Sequence, residues 1–134
     1  MLELGRPECL RLLAETGFGR LAVNGSRGPV IRPVNYVFDE SSQSVVFRTA
    51  LGSKLQALLK AAKAAFEIDG IDQDGRSGWS VIVVGVAEEV TNPAETRRLG
   101  ATGPEPWGPG LKAHWVRIRA NTVSGRRIVA ASRD

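Results

Sequence analysis

Cysteine and histidine are almost missing from this chain. Cys9 is the only cysteine and His114 the only histidine. No intrachain disulfide can form, which fits a reducing compartment and a cytoplasmic location. One cysteine and one histidine do not make a closed zinc site. A serine-type triad would need that one histidine beside a positioned serine motif, and none is present. No apolar run approaches the roughly 20 residues of a membrane helix. No basic start followed by an apolar stretch marks a signal peptide. Long basic runs are absent too: the net charge of +4 comes mostly from scattered arginines. That pattern reads as a solvated basic surface with one anion site, not as a nucleic-acid face. No repeat, linker or low-complexity segment divides the 134 residues, 43% of them apolar, so one domain over 1–134 is expected.

What is present is a series of short β-type runs. Pro7 to Glu15 has a first-turn proline and an apolar side, Cys9, Leu10, Leu12 and Leu13, and is expected to be helical. Phe18 to Val23, Pro29 to Phe38 and Ser44 to Thr49, joined by polar turns, suggest an antiparallel meander. Ser53 to Lys63 carries Leu55, Leu58, Leu59 and Ala62 on one helical face. Strands are expected again at Ala64 to Ile71 and Trp79 to Val90, a short helix from Asn92-Pro93 to Gly100, and extended chain at His114 to Ile118 and Thr122 to Ile128. About six strands with three short helices at the connections favour a mainly β fold, a small antiparallel barrel.

Phe47-Arg48-Thr49-Ala50-Leu51-Gly52-Ser53-Lys54-Leu55 is the segment richest in chemistry. A strand runs through a turn into a helix, placing Arg48, Thr49, Ser53 and Lys54 beside unpaired helix N–H groups. That is a site for an anion such as a phosphate. The order Gly-Ser-Lys, without the upstream glycine, is not a nucleotide-hydrolysing P-loop. An ordinary capped helix with two exposed bases accounts for the same residues equally well.

Three further segments could complete a site. In Ile31-Arg32-Pro33-Val34-Asn35-Tyr36-Val37, a proline inside a strand implies an edge or a bulge. Asn35 and Tyr36 could then stand beside a flat ring, or Tyr36 could sit in the core. Gly78-Trp79-Ser80-Val81 puts a tryptophan where it either closes the barrel or covers a ligand. In Trp115-Val116-Arg117-Ile118, alternation puts Trp115 and Arg117 on one face and the apolar pair inward. Trp115 could stack with Arg117 or meet a partner subunit. Glu88-Glu89 is expected to be a solvated pair at a strand end. With no evident acid, base or nucleophile, the combination suits a protein whose chemistry resides in a bound phosphorylated cofactor.

In this order the four segments resemble the pyridoxamine 5′-phosphate oxidase-like family of FMN-binding split barrels, over nearly the whole chain from Pro7 to Arg127. The resemblance implies a six-stranded antiparallel split barrel and a homodimer with FMN in clefts between subunits. It implies that Arg48, Thr49, Ser53 and Lys54 hold the phosphate and that Val34, Asn35 and Tyr36 lie along the isoalloxazine ring. Trp79 and Ser80 would complete the pocket, with residues near Trp115 arriving from the other subunit. The expected activity is a flavin-dependent oxidoreduction of a small molecule. The chain is short for a true pyridoxamine phosphate oxidase and lacks that enzyme's substrate-binding ending, so vitamin B6 oxidation is not expected. Arg48 stands where many relatives carry histidine, which leaves the cofactor open. A deazaflavin-dependent reductase, and a non-catalytic flavin or haem module using His114, are the alternatives.

Overall fold

The computed structural model describes residues 2–50, 63–73, 75–102 and 114–129. The described chain is mainly β. Its elements are β1 (Leu2–Leu4), α1 (Arg6–Glu15), β2 (Phe18–Gly25), β3 (Gly28–Asn35), β4 (Val37–Asp39), β5 (Ser44–Thr49), β6 (Ala64–Ile71), β7 (Gly78–Gly85), β8 (Ala87–Val90), α2 (Pro93–Thr102), β9 (His114–Arg119) and β10 (Thr122–Ile128). They form two sheets. One has six strands in the order β1-β10-β7-β6-β2-β3, and the other four in the order β4-β5-β9-β8. Every pairing among them is antiparallel.

Two expected strands each prove to be two. The run Pro29 to Phe38 breaks at Tyr36, and Trp79 to Val90 breaks at Val86. Each run crosses from the six-stranded sheet to the four-stranded one. The expected meander is therefore corrected: β2–β3 and β4–β5 are hairpins in different sheets. At the first break the Tyr36 N–H leaves the ladder and donates to the Gly17 carbonyl at 2.9 Å. At the second, a Cβ on Gly85 would come within 3.0 Å of the Arg119 carbonyl oxygen, so glycine lets the chain turn this corner. Pro33 lies in β3, which is an edge strand and needs no donor on its outer side.

Between the sheets lies one core. Leu21, Val45, Phe47, Phe66, Ile68, Val81, Val83, Val116 and Ile118 are fully buried there, with Cys9, Leu12 and Leu13 of α1. The expected inward packing of Val116 and Ile118 is what the structure contains. A smaller cluster forms where α2 covers the four-stranded sheet: Leu99 packs with Val46, Val90 and Trp115. Asn92 caps α2, its side-chain oxygen accepting from the N–H groups of Ala94 at 2.9 Å and Glu95 at 3.2 Å. The helix expected over Ser53 to Lys63 falls almost wholly outside the described residues.

Candidate functional site

Arg48 is the penultimate residue of β5. Its ladder partner in β9 is Trp115, and its guanidinium carbon lies over the indole, 5.0 Å from the ring centroid. That is cation–π geometry. Arg117, the stacking partner considered from alternation, is engaged elsewhere: Nε donates to Glu88 at 3.1 Å and a terminal nitrogen to Glu95 of α2 at 2.6 Å. Trp115 itself is 7% exposed. Thr49, next in the strand, points to the opposite face from Arg48. It is buried, and its hydroxyl donates to the Ala50 carbonyl at 3.3 Å. Ser53 and Lys54 lie outside the described residues.

Val34 and Tyr36 are buried, and Asn35 between them is half-buried. The Tyr36 hydroxyl donates to the Leu13 carbonyl at 2.7 Å, and its ring meets Phe66 edge-on at 4.9 Å. Burial pushes the phenol far above its ordinary pKa. Tyr36 is thus a core residue that ties α1 to the barrel.

Trp79 and Ser80 open β7. A cleft of about 390 Å³ lies beside them, lined also by Glu67, Asp69, Arg76 and Ile128. Its indole wall exists because position 70 is glycine: a Cβ there would lie 2.7 Å from Trp79 Nε1. Trp79 packs on the main core and Trp115 in the smaller cluster. The structure therefore brings Arg48 to Trp115 and Trp79 to Ser80, and places these two pairs in different sheets.

Several polar groups were not anticipated. Glu88 and Glu89 are not a solvated pair: Glu88 accepts from Arg117 and Arg119, and Glu89 lies 3.0 Å from His114 Nδ1. Their partners are on β9, beyond the reach of local spacing. On the outer face of the six-stranded sheet Arg20 bridges Glu67 and Asp69. Burial, and then the neighbouring Asp69, push the Glu67 carboxyl up. Cys9 is buried, and burial raises its thiol pKa, so it is poorly suited to be a nucleophile. Among the described residues no cluster of three metal-ligating side chains occurs, and no helix is long and apolar enough to cross a membrane.

The chain is similar to several known proteins. It is 36% identical to the uncharacterized protein Rv0080 of Mycobacterium tuberculosis, over 99% of this chain and 89% of that one. Among solved structures, a candidate pyridoxamine 5′-phosphate oxidase from Corynebacterium glutamicum superposes with a TM-score of 0.82 at 31% identity, covering 98% of this chain and 96% of that one. The FAD binding protein of Mycobacterium smegmatis superposes with a TM-score of 0.77 at 33% identity, covering 96% and 98%. Residues 5–127 match the family model for pyridoxamine 5′-phosphate oxidase. The two sheets are those of the split barrel shared by these structures, and the chain belongs to the pyridoxamine 5′-phosphate oxidase family.

Proposed function

We propose that this protein is a homodimeric flavin-dependent oxidoreductase acting on a small molecule. The observation that carries the reading is the 33% identity, over 96% of the chain, to a structure named as an FAD binding protein. Two separate parts of the described chain offer groups that such a cofactor needs, one in each sheet. Arg48 is a permanent planar cation at the end of β5, half-buried and stacked. Trp79 and Ser80 offer an indole face and a hydroxyl beside a cleft of about 390 Å³.

In this reading Arg48 holds the phosphate, with Ser53 and Lys54 as further candidate donors. Trp79 and Ser80 wall the ring, and Asn35 lies along it. The bound flavin supplies hydride transfer. The protein binds the phosphate, orients the ring and keeps water from one side. FMN is the smallest ligand with both ring and phosphate, and FAD contains the same two parts.

The dimer is supported by the outer face of the six-stranded sheet. Ile31, Ala22, Ala65 and Val84 stand side by side across β3, β2, β6 and β7, with Ile82 in the next row. None of the five is buried, and they make an apolar band that suits a second copy.

The visible spectrum of the purified protein tests the cofactor. A two-band flavin spectrum, or saturable binding of added FMN or FAD, is expected. Colourless protein that takes up neither refutes it. Reduction of the bound flavin by nicotinamide donors, with reoxidation by small-molecule acceptors, separates an oxidoreductase from a carrier.

A further inference from the structure

We propose that Trp115 is a positioning residue. It fixes the Arg48 guanidinium for the flavin phosphate and makes no contact with the flavin ring. This rests on the flavin reading above.

Trp115 and Arg48 face each other across β5 and β9, and the guanidinium lies 5.0 Å from the indole centroid. Stacking uses the flat face of a guanidinium. A guanidinium that meets a ring by its face can still bond a phosphate through its in-plane N–H groups. A long arginine side chain in water samples many rotamers. Holding it against a ring lowers the freedom lost when the anion arrives.

The indole in turn cannot wander. It is 7% exposed and packs with Val46 of β5, Val90 of β8 and Leu99 of α2. Two ion pairs hold α2 over it: Glu95 with Arg117 at 2.6 Å, and Arg98 with Asp39 at 2.8 Å. An indole so covered has little surface left for a ligand ring. Its described polar consequence is Arg48.

The test compares phosphorylated and unphosphorylated flavins. Dissociation constants for FMN, FAD and riboflavin are measured by fluorescence titration on wild type, Trp115→Phe and Trp115→Leu, with circular dichroism as the folding control. Trp115→Leu is expected to weaken FMN and FAD about tenfold and to change riboflavin less than about twofold, with Trp115→Phe retaining most of the affinity. Equal losses for riboflavin and FMN would mean that Trp115 contacts the ring, and unchanged FMN binding that it positions nothing. Either overturns the proposal.

If Trp115→Leu does not fold, Trp115→Met takes its place in a cycle with Arg48→Gln. A loss of FMN affinity from Trp115→Met that appears with Arg48 and vanishes with Arg48→Gln supports the role. The same penalty in both backgrounds overturns it. Wild type that binds none of the three flavins is a separate result. It removes the flavin reading itself, and this role with it.

Discussion

Tyr36 donates its phenolic hydrogen bond to the Leu13 carbonyl at 2.7 Å, across 23 residues of sequence. Leu13 lies in the last turn of α1, where carbonyls have no partner within the helix. The hydroxyl of Thr16 and its N–H satisfy Leu12 in the same turn. Tyr36→Phe leaves the Leu13 carbonyl buried and unpaired, at a cost of about 1–2 kcal/mol. The melting temperature is expected to fall while flavin affinity holds. A variant that keeps its melting temperature and loses flavin would instead make the hydroxyl a ligand contact.

Gly70 and Trp79 face each other on β6 and β7. A Cβ at position 70 would lie 2.7 to 2.9 Å from Nε1, Cε2 and Cζ2 of the indole. These are atoms of a rigid ring and cannot fold aside as a flexible chain end would. Gly70→Ala must push the indole off its present seat, with a stability loss of about 1–3 kcal/mol. Chemical denaturation measures the loss, and near-ultraviolet circular dichroism follows the ring. Identical dichroism and stability would mean that the indole has room to move.

The pair Asp39–Arg98 predicts an acid limb. The Arg98 guanidinium beside it, helped by Ser42, holds the Asp39 carboxyl at about 2, below its ordinary 3.8. A depressed carboxylate adds stability above its unfolded pKa and loses it as pH falls through the folded value. The contribution is therefore present above pH 3.8 and disappears toward pH 2. Because Arg98 is 43% exposed, about 1 kcal/mol is expected rather than the full shift. Urea unfolding of wild type and Asp39→Asn at about pH 5 and about pH 2.5 should show a gap that narrows in acid. A gap of equal size at both values refutes the linkage.

The strands were legible where one face is buried and turn residues mark the ends. Ser44–Thr49, Ala64–Ile71 and Thr122–Ile128 follow the alternation and turn signals at both ends. The corners at Tyr36 and Val86 were not legible, for a physical reason. When a barrel strand bends from one sheet to the other, the same side still faces the interior. Val81, Val83 and Ala87 therefore keep their period of two through the break. Only Gly85 marked the corner. At the site, Arg48 could be picked out from its residue type, but its partner could not. Position 115 is far along the chain, and only the β5–β9 register brings the two together. The Glu88 and Glu89 pairings were hidden in the same way. For Tyr36 the choice between core and ring contact depended on α1, whose carbonyl it caps.

The outer face of the six-stranded sheet carries the last prediction. Its central row runs Ile31, Ala22, Ala65, Val84 and Thr122, set by the ladder registers. The next row mixes Arg20, Glu67 and Ile82. A band of small and branched apolar residues flanked by a bridged charge cluster suits a self-complementary contact. Val84→Glu places a carboxylate in the middle of that band. In a free sheet face the change is nearly neutral, because the side chain stays in water. In an interface it buries an unpaired carboxylate from each subunit away from water, and costs several kcal/mol. Light scattering after size exclusion should give a dimer for wild type and a monomer for Val84→Glu, with unchanged circular dichroism. If the proposed flavin site is shared between subunits, as the family resemblance implies, flavin affinity should fall with the dimer. A monomeric wild type removes the dimer. A dimeric Val84→Glu variant shows that the subunits meet elsewhere, since a carboxylate in the band would be tolerated only where no second copy covers it.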